Sequence, residues 1–340
     1  MFRKLLLSLC LLLVLTGCGQ PAAQAAPQTS QLFAMDTVMD LSVYTDDDTL
    51  LTDAARLVSD LEHTLSTTDP GSEIYTANHT GSAVLSDHTA ALLEKALGFC
   101  KKTGGALDLS IYPVVRAWGF TTEQYQIPSR EELDTLLPKV DYTKIHFRAD
   151  DRTLSLPEGM EIDLGSVAKG YTGDQLAALF RSRGVTSALL NLGGNVQAVG
   201  AKPDGSPWRV GIQDPQGESY LGVLSVIDQA VITSGGYERF FTGDDGTVYW
   251  HIIDPATGAP ARSGLISATA VGPEGAYCDA LSTSLFIMGP EKATQFWREN
   301  RDFEMILVTD QNQVLITPGL ADSFRLTDGA PYELQVIADA

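Results

Sequence analysis

The chain is poor in the residues that build metal cages and covalent frameworks. Its 340 residues include 4 cysteines and 5 histidines, with no CxxC pair and no His/Cys cluster at zinc spacing, so a transition-metal cofactor is not expected. Positive charge is also scarce: 23 Lys and Arg stand against 43 Asp and Glu, a net charge of −20. That balance argues against nucleic acid as a partner and against electrostatic docking on anionic lipid headgroups. Long apolar runs are missing after the N-terminus, and Leu5 to Leu15 is shorter than the ~20 residues a spanning helix needs. No internal repeat and no long linker follow residue 30. The remainder reads as one α+β body of roughly 300 residues, near the size at which single cores begin to split.

The first residues read as an address. Arg3 and Lys4 precede the apolar run, and Leu15-Thr16-Gly17-Cys18 follows, which is the order of a secretory signal peptide (1–17) ending in a lipobox. A buried N-terminal helix would not need these three regions in order. Cys18 is then expected to become the lipidated first residue. At about 0.8 kcal/mol per buried methylene, several acyl chains would hold the protein at the extracytoplasmic face of a bacterial membrane. Residues 18–30, with QPAAQAAPQTS from Gln20 to Ser30, lack apolar periodicity and suit a flexible tether, which leaves 31–340 as the body. Processing removes Arg3 and Lys4, taking the charge from −20 to −22. It also leaves Cys100 and Cys278, which are able to pair, although each falls on an apolar helix face where cysteine acts as a small hydrophobe.

Helical spacing predicts helices at about Leu50 to Leu65, where Leu51, Ala54, Val58, Leu61 and Leu65 recur, and at Asp87 to Lys102, stopped by Gly104-Gly105. Ser129 and Glu132 form a capping-box pattern, and Lys169 to Arg183 should be helical up to Gly184. Strand signals are Ile145–Phe147, Leu154–Leu156, Ser187–Leu192, Trp208–Ile212, Val223–Ile227, Thr247–Ile253 and Ile266–Val271. Met305–Thr309 and Val314–Thr317 read as a closing hairpin.

Chemistry concentrates in a few segments. Gly159 to Asp174, GMEIDLGSVAKGYTGD, runs an acidic strand end into a glycine-bordered turn and a helix. Gly165 and Gly170 permit close approach and unusual φ there, and Lys169 brings a cation, which suits a phosphate-bearing ligand. Such turns are common, so this element alone decides nothing. In Tyr277 to Met288, Cys278, Leu281, Leu285 and Met288 share one helix face, while Asp279 and Thr283 share the opposite one. A carboxylate beside a hydroxyl suits a hard cation such as Mg²⁺, or is simply a solvated surface pair. Local cations would be needed for any pyrophosphate, since unit charges 4 Å apart interact by about 4 kcal/mol at an effective dielectric of about 20. His251 could accept a proton near neutral pH, though a lone strand histidine is more often structural.

Taken in order, the acidic strand end, LNLGGNV from Leu190 to Val196, HIIDPATG from His251 to Gly258 and DALST from Asp279 to Thr283 resemble the signature segments of the ApbE family, the FAD:protein FMN transferases. The resemblance covers nearly everything after residue 30. It implies a single T-fold-related α+β domain with mixed or antiparallel sheets and flanking helices. It also implies transfer of FMN from FAD to a threonine hydroxyl of acceptor proteins, with AMP released. By this likeness Mg²⁺ is held by Asp279, Thr283 and the backbone carbonyl of Ser166; FAD touches Asp163, Lys169 and Ile253, with Ala106, Leu107 and Asp108 in GGALD; and His251 is the general base. Met35, in Ala34-Met35-Asp36-Thr37, would lie against the flavin ring. Acceptors would be subunits of membrane redox complexes or secreted flavin reductases. The chain departs from the family pattern at Asp36, where glycine is usual, at Thr68, where many members carry tyrosine, and at Gly236, in place of an acid. In the loop-like segment Leu65–Asn78, Tyr75 is a candidate to replace the missing ring. Ser234–Arg239 resembles another family segment, in which Arg239 would aid the phosphates or pair with an acid, and Trp118 reads as core. Two other readings keep some of these residues: an FAD pyrophosphatase yielding FMN and AMP, and a flavin-capturing lipoprotein without turnover.

Overall fold

The computed structural model describes residues 26–122 and 124–339; Cys18 and the signal segment lie outside them. The chain opens with the hairpin β1 (Gln28–Ala34) and β2 (Thr37–Val43), then α1 (Leu50–Leu65), α2 (Glu73–Thr80), β3 (Ser82–Val84), α3 (Asp87–Lys102), α4 (Tyr112–Ala117) and α5 (Arg130–Leu136). Next come β4 (His146–Arg148), β5 (Thr153–Ser155), α6 (Gly165–Ser182), β6 (Ala188–Leu192), β7 (Asn195–Val199), β8 (Trp208–Gln213), β9 (Tyr220–Val226) and β10 (Ala230–Gly235). β11 (Phe240–Thr242), β12 (Val248–Trp250), β13 (Ile253–Asp254), β14 (Ala259–Pro260), β15 (Leu265–Gly272) and α7 (Gly275–Asn300) lead to β16 (Glu304–Thr309), β17 (Gln313–Ile316), β18 (Phe324–Leu326) and β19 (Glu333–Val336).

Nine strands form one sheet in the order β1-β2-β6-β7-β10-β15-β16-β17-β19, antiparallel except for the last pair. One face carries helices. Leu50, Ala54 and Val58 of α1 and Leu176, Ala177 and Phe180 of α6 pack with Met39, Leu41, Leu190 and Leu192, while Leu281, Leu285 and Phe286 of α7 pack with Ile232, Ala268, Ala270 and Leu307. On the other face a three-stranded sheet, β18-β9-β8, buries Val210, Ile212 and Leu224 against Val231, Val271, Ile306 and Val308. Period-two alternation explains this double burial, because successive residues such as Val231 and Ile232 enter opposite cores.

The expected helices at 50–65 and 87–102 form with those bounds, and Ser129 Oγ accepts from the Glu132 N–H as a capping residue should. Five expectations change. β1 starts at Gln28 and pairs Gln28, Thr29 and Ser30 with Val43, Ser42 and Leu41, so the folded body begins before residue 31. Part of the loop-like stretch after Leu65 is α2, capped by Ser72, whose Oγ accepts from the Ile74 and Tyr75 N–H groups. α6 begins at Gly165, four residues early, and neither Gly165 nor Gly170 has a positive φ. The predicted strand 247–253 breaks at His251 and Ile252. The C-terminal hairpin does not close the sheet, since β19 adds beyond it. Cys100 and Cys278 are buried and unpaired, and burial pushes the Cys100 thiol up to about 12.

Glycine matters most where α6 crosses α7. A Cβ on Gly170 would sit 2.2 Å from the Gly275 carbonyl oxygen, and one on Gly275 would sit 2.5 Å from the Gly170 oxygen. The Asp174 carboxylate fixes the approach by accepting from the Gly275 and Ala276 N–H groups at 2.7 and 2.9 Å, which caps the start of α7. Because backbone cannot yield as a side-chain tip can, Gly170→Ala should lower stability by about 1–3 kcal/mol or more, read as a fall in the urea midpoint at unchanged slope.

Candidate active site

Two hollows adjoin at the start of α6. The first, about 220 Å³, is lined by Ala106, Leu107, Asp108, Ser166, Asn195, Glu238, His251, Ile253, Asp279 and Thr283. The second, about 360 Å³, is lined by Met35, Asp36, Glu62, Ser66, Thr67 and Thr68. Thr121, Asp163, Gly165, Lys169 and Arg239 line both, so the neck between the hollows carries two cations. Each residue that the family likeness places against FAD, the metal or the acceptor proton borders one hollow or the other. Met35 stands at one end and the Ala106–Asp108 and Ile253 walls at the other.

Lys169 and Arg239 hold no carboxylate within salt-bridge distance among the described residues. Arg239 Nη2 instead donates to the Phe120 carbonyl at 2.8 Å, which points the guanidinium. Thr121 Oγ1 and Asn195 Nδ2 are buried without a hydrogen-bond partner among the described residues. Unpaired cations and orphaned polar atoms in one hollow are costly unless a ligand satisfies them.

The carboxylates differ in what they leave free. Asp108 caps the following turn: Oδ1 accepts from Ser110 N and Oγ, and Oδ2 accepts from Tyr142 N, so its side chain shapes the wall and its backbone is what remains for a ligand. Asp163 Oδ1 accepts from Gly165 N at 2.9 Å and holds the entry to α6; burial raises its pKa against the pull of that bond, Arg239 and Lys169. Asp279 is 5 % exposed, and its Oδ2 accepts from Gly170 N at 2.8 Å. Burial pushes its carboxyl up, opposed by Lys169, Gly170 and Asn195, although Asn195 Nδ2 makes no hydrogen bond of ordinary geometry. Glu238 is raised to about 7 by burial and by Asp279, against Lys169 and Arg239.

The expected metal ligands share one hollow. Ser166 lies in the first turn of α6, on a helix and not on a loop. In a helix the Gly170 N–H serves the carbonyl four residues back, which is that of Ser166. Here it also reaches Asp279, so two acceptors compete for one proton and the Ser166 carbonyl keeps accepting capacity. Thr283 Oγ1 lies 3.3 Å from Ser234 Oγ. A carboxylate, a hydroxyl and a carbonyl are oxygen donors of the kind a hard divalent cation takes, and the buried Asp279 charge gains from a cation. Among the described residues no cluster of three acidic, His or Cys side chains exists for a metal, so such an ion would complete its shell with water and substrate oxygens. The residues fit Mg²⁺ on these terms.

His251 sits at the bend between β12 and β13, its N–H bonded to the Arg239 carbonyl and its Nδ1 3.3 Å from the same oxygen. A carbonyl only accepts, so Nδ1 carries the proton and the Nε2 lone pair is free. Phe120 meets the ring edge-on at 6.3 Å.

Met35 and Asp36 form the β1–β2 turn with φ of 51° and 58°, both left-handed as a type I′ turn requires. Aspartate tolerates that region, which explains how it replaces glycine at position 36. Met35 is steadied by its N–H donating to Glu62 Oε1 at 2.6 Å. Tyr75 does not border the second hollow; it stacks on His79 at 3.7 Å, one turn along α2, so it does not compensate for Thr68. Trp118 is core, 3 % exposed, and donates from Nε1 to the Gly258 carbonyl. Sequence reasoning missed Thr121, Asn195 and the environment of Glu238. Asn195 left a signal as part of LNLGGNV and Glu238 as part of Ser234–Arg239, whereas Thr121 left none.

The ApbE family profile matches residues 35–307. This chain belongs to the ApbE family. It is 36 % identical over 254 residues to the FAD:protein FMN transferase of Treponema pallidum (strain Nichols), covering 70 % of each chain. The Vibrio cholerae FAD:protein FMN transferase is 31 % identical over 319 residues, 91 % of this chain and 95 % of the relative. Among solved structures, the ApbE protein of Thermotoga maritima superposes with a TM-score of 0.79 at 29 % identity, over 89 % of this chain and 97 % of that one. The flavin transferase ApbE of Vibrio cholerae gives 0.75 at 26 %, over 88 % and 97 %.

Burial, then Arg239 and Lys169, lower His251 from 6.5 to about 4. The native state therefore binds fewer protons than the unfolded chain, so this stability is complete above pH 6.5 and is lost as pH falls toward 4. Urea midpoints of the unaltered chain and of His251→Gln should converge on acidification across that window, with the variant losing less.

Proposed function

We propose that the chain transfers FMN from FAD to a threonine hydroxyl of an acceptor protein, with Mg²⁺. Family membership supports the reaction. The observation that carries the assignment to this site is the neck of two unpaired cations, Lys169 and Arg239, joining two hollows in a strongly acidic chain. A dinucleotide has that shape: two bulky ends and a doubly charged centre.

In this reading Met35 bounds the flavin end, and Lys169 and Arg239 hold the pyrophosphate while Thr121 and Asn195 offer it their unpartnered atoms. Mg²⁺ held by Asp279, Thr283 and the Ser166 carbonyl would neutralise phosphate charge and polarise the scissile linkage. His251 Nε2 takes the acceptor's hydroxyl proton. The acceptor oxygen forms the new bond to the FMN phosphorus as the bond from that phosphorus to the AMP oxygen breaks. His251 is made a weak base first by burial and then by the cations that hold the substrate. Phosphates bound to Lys169 and Arg239 would offset the second of these influences, so part of its basicity returns when FAD is in place.

The outward, lipid-anchored location through Cys18 is part of the proposal. Its support is the ordered charged, apolar and LTGC segments of the N-terminus and the fit to acceptors in membrane redox complexes or secreted flavin reductases. No helix among the described residues is long and apolar enough to cross a membrane.

Incubation with FAD, Mg²⁺ and acceptor candidates should give in-gel flavin fluorescence, with the modified residue identified by mass spectrometry after co-expression. Asp279→Ala should abolish labelling; full labelling by that variant refutes the metal assignment. His251→Ala should slow transfer by ~10²–10⁴-fold, the range of general-base catalysis, while FAD binding persists. Free FMN formed equally fast without acceptor would favour hydrolysis instead.

A further inference from the structure

Beside the active hollow, the large sheet comes apart. β7 and β10 are paired only at Ala230↔Gln197 and Val231↔Val196, although β10 runs to Gly235 and is paired to β15 along its whole length. Continuing the register would set Ile232 against Asn195 and Thr233 against Gly194. Instead β7 begins at Asn195, after a turn in which Gly193 and Gly194 have φ of 64° and 93°, and a Cβ on Gly193 would lie 2.0 Å from Thr37 Oγ1. That contact holds the turn against β2. Ile232 faces the first residue of β7 without a paired bond, and the edge of β10 from Thr233 to Gly235 thus meets no strand among the described residues on that side.

Alternation carries the gap through the sheet. Ile232 belongs to the helix-side core and Val231 to the opposite one. Ser234 accordingly reaches Ser282 and Thr283 on the helix side, and Thr233 faces the three-stranded sheet. On that far side lies a groove of about 390 Å³, lined among others by Asn191, Val196, Arg209 and Tyr220. Thr233 and Glu238 border both this groove and the active hollow, so groove and hollow lie on either side of these two residues, beside the gap.

We infer that the acceptor protein enters here, as an extended segment that lies in the far-side groove, bonds to the free edge of β10 and passes its hydroxyl side chain between β7 and β10 into the active hollow. The inference rests on the transferase reading. FAD and acceptor must be present together, and the second hollow, at Met35 and Thr68, already provides one way in for the dinucleotide. An unpaired strand edge beside a groove offers an extended polypeptide main-chain bonds, with side chains sorted to alternate faces. The groove has the lining such a segment uses. Tyr220 is 63 % exposed and held with its ring over Gly211, where a Cβ would come within 2.6 Å of it. Arg209 is exposed and forms no ion pair among the described residues, and β8, which carries it, is itself an edge strand. Tyrosine and arginine are the side chains that most often dominate protein recognition.

The test combines Arg209→Ala with Tyr220→Ala and uses the acceptor domain that the unaltered chain labels on co-expression. KM for the acceptor should rise about tenfold or more, with FAD affinity and kcat at saturating acceptor unchanged. An unchanged KM overturns the inference while the transferase reading stands. If the unaltered chain labels no protein, both fall together. As a second measurement, benzoylphenylalanine in place of Tyr220 should cross-link the acceptor domain, and the same probe in place of Phe33, on the β1–β2 hairpin, should not; equal cross-linking from both positions also overturns the inference.

Discussion

Everything near the active hollow depends on how closely α6 and α7 approach. Their backbones touch at Gly170 and Gly275, where neither position has room for a methyl group. That closeness lets the Asp279 carboxylate, one turn into α7, reach the Gly170 N–H, and it sets the Thr283 hydroxyl and the Ser166 carbonyl on the same wall. One contact therefore does structural and functional duty. It joins α6 to the first part of α7 and assembles three oxygen donors from two distant parts of the chain.

The second governing fact is electrostatic. The chain carries far more acid than base, yet at the neck of the two hollows Lys169 and Arg239 stand without ion pairs among the described residues. Their field, added to burial, holds His251 neutral, and the same cations oppose the upward shifts of Glu238, Asp163 and Asp279. A pyrophosphate arriving at the neck would reverse these influences. In the proposed reaction, binding and proton transfer would be coupled through these two side chains. The gap between β7 and β10 completes the picture by giving the second substrate its own approach.

The site was more legible in the amino-acid order than the fold around it. The segments around Asp163, His251 and Asp279 stand out because they resemble, in order, the family's signature segments, and the structure brings all three residues to one hollow. The strands were harder. β10, AVITSG, ends in residues that read as a turn, and β1, QTSQLFA, opens in polar residues that resemble the tether before it. Both are strands because neighbours from elsewhere in the chain pair with them, and pairing leaves little trace in a short polar segment. α2 was read as a loop for a similar reason: its single turn-and-a-half of buried positions, Ile74 and Ala77, is too brief to establish a period.

By itself, the amino-acid order determined the main helices, the family, and which acid, hydroxyl, lysine and histidine belong together, because helical period and the atoms required by chemistry are local properties. Only the tertiary structure decided that Tyr75 stacks on His79 and does not line the hollow, that Asp108 is taken up by its own turn and by Tyr142, that burial raises the Glu238 carboxyl and that the sheet pairing stops beside the site. Those outcomes depend on distances between residues far apart in the chain, and such distances are set by packing, which no local pattern encodes.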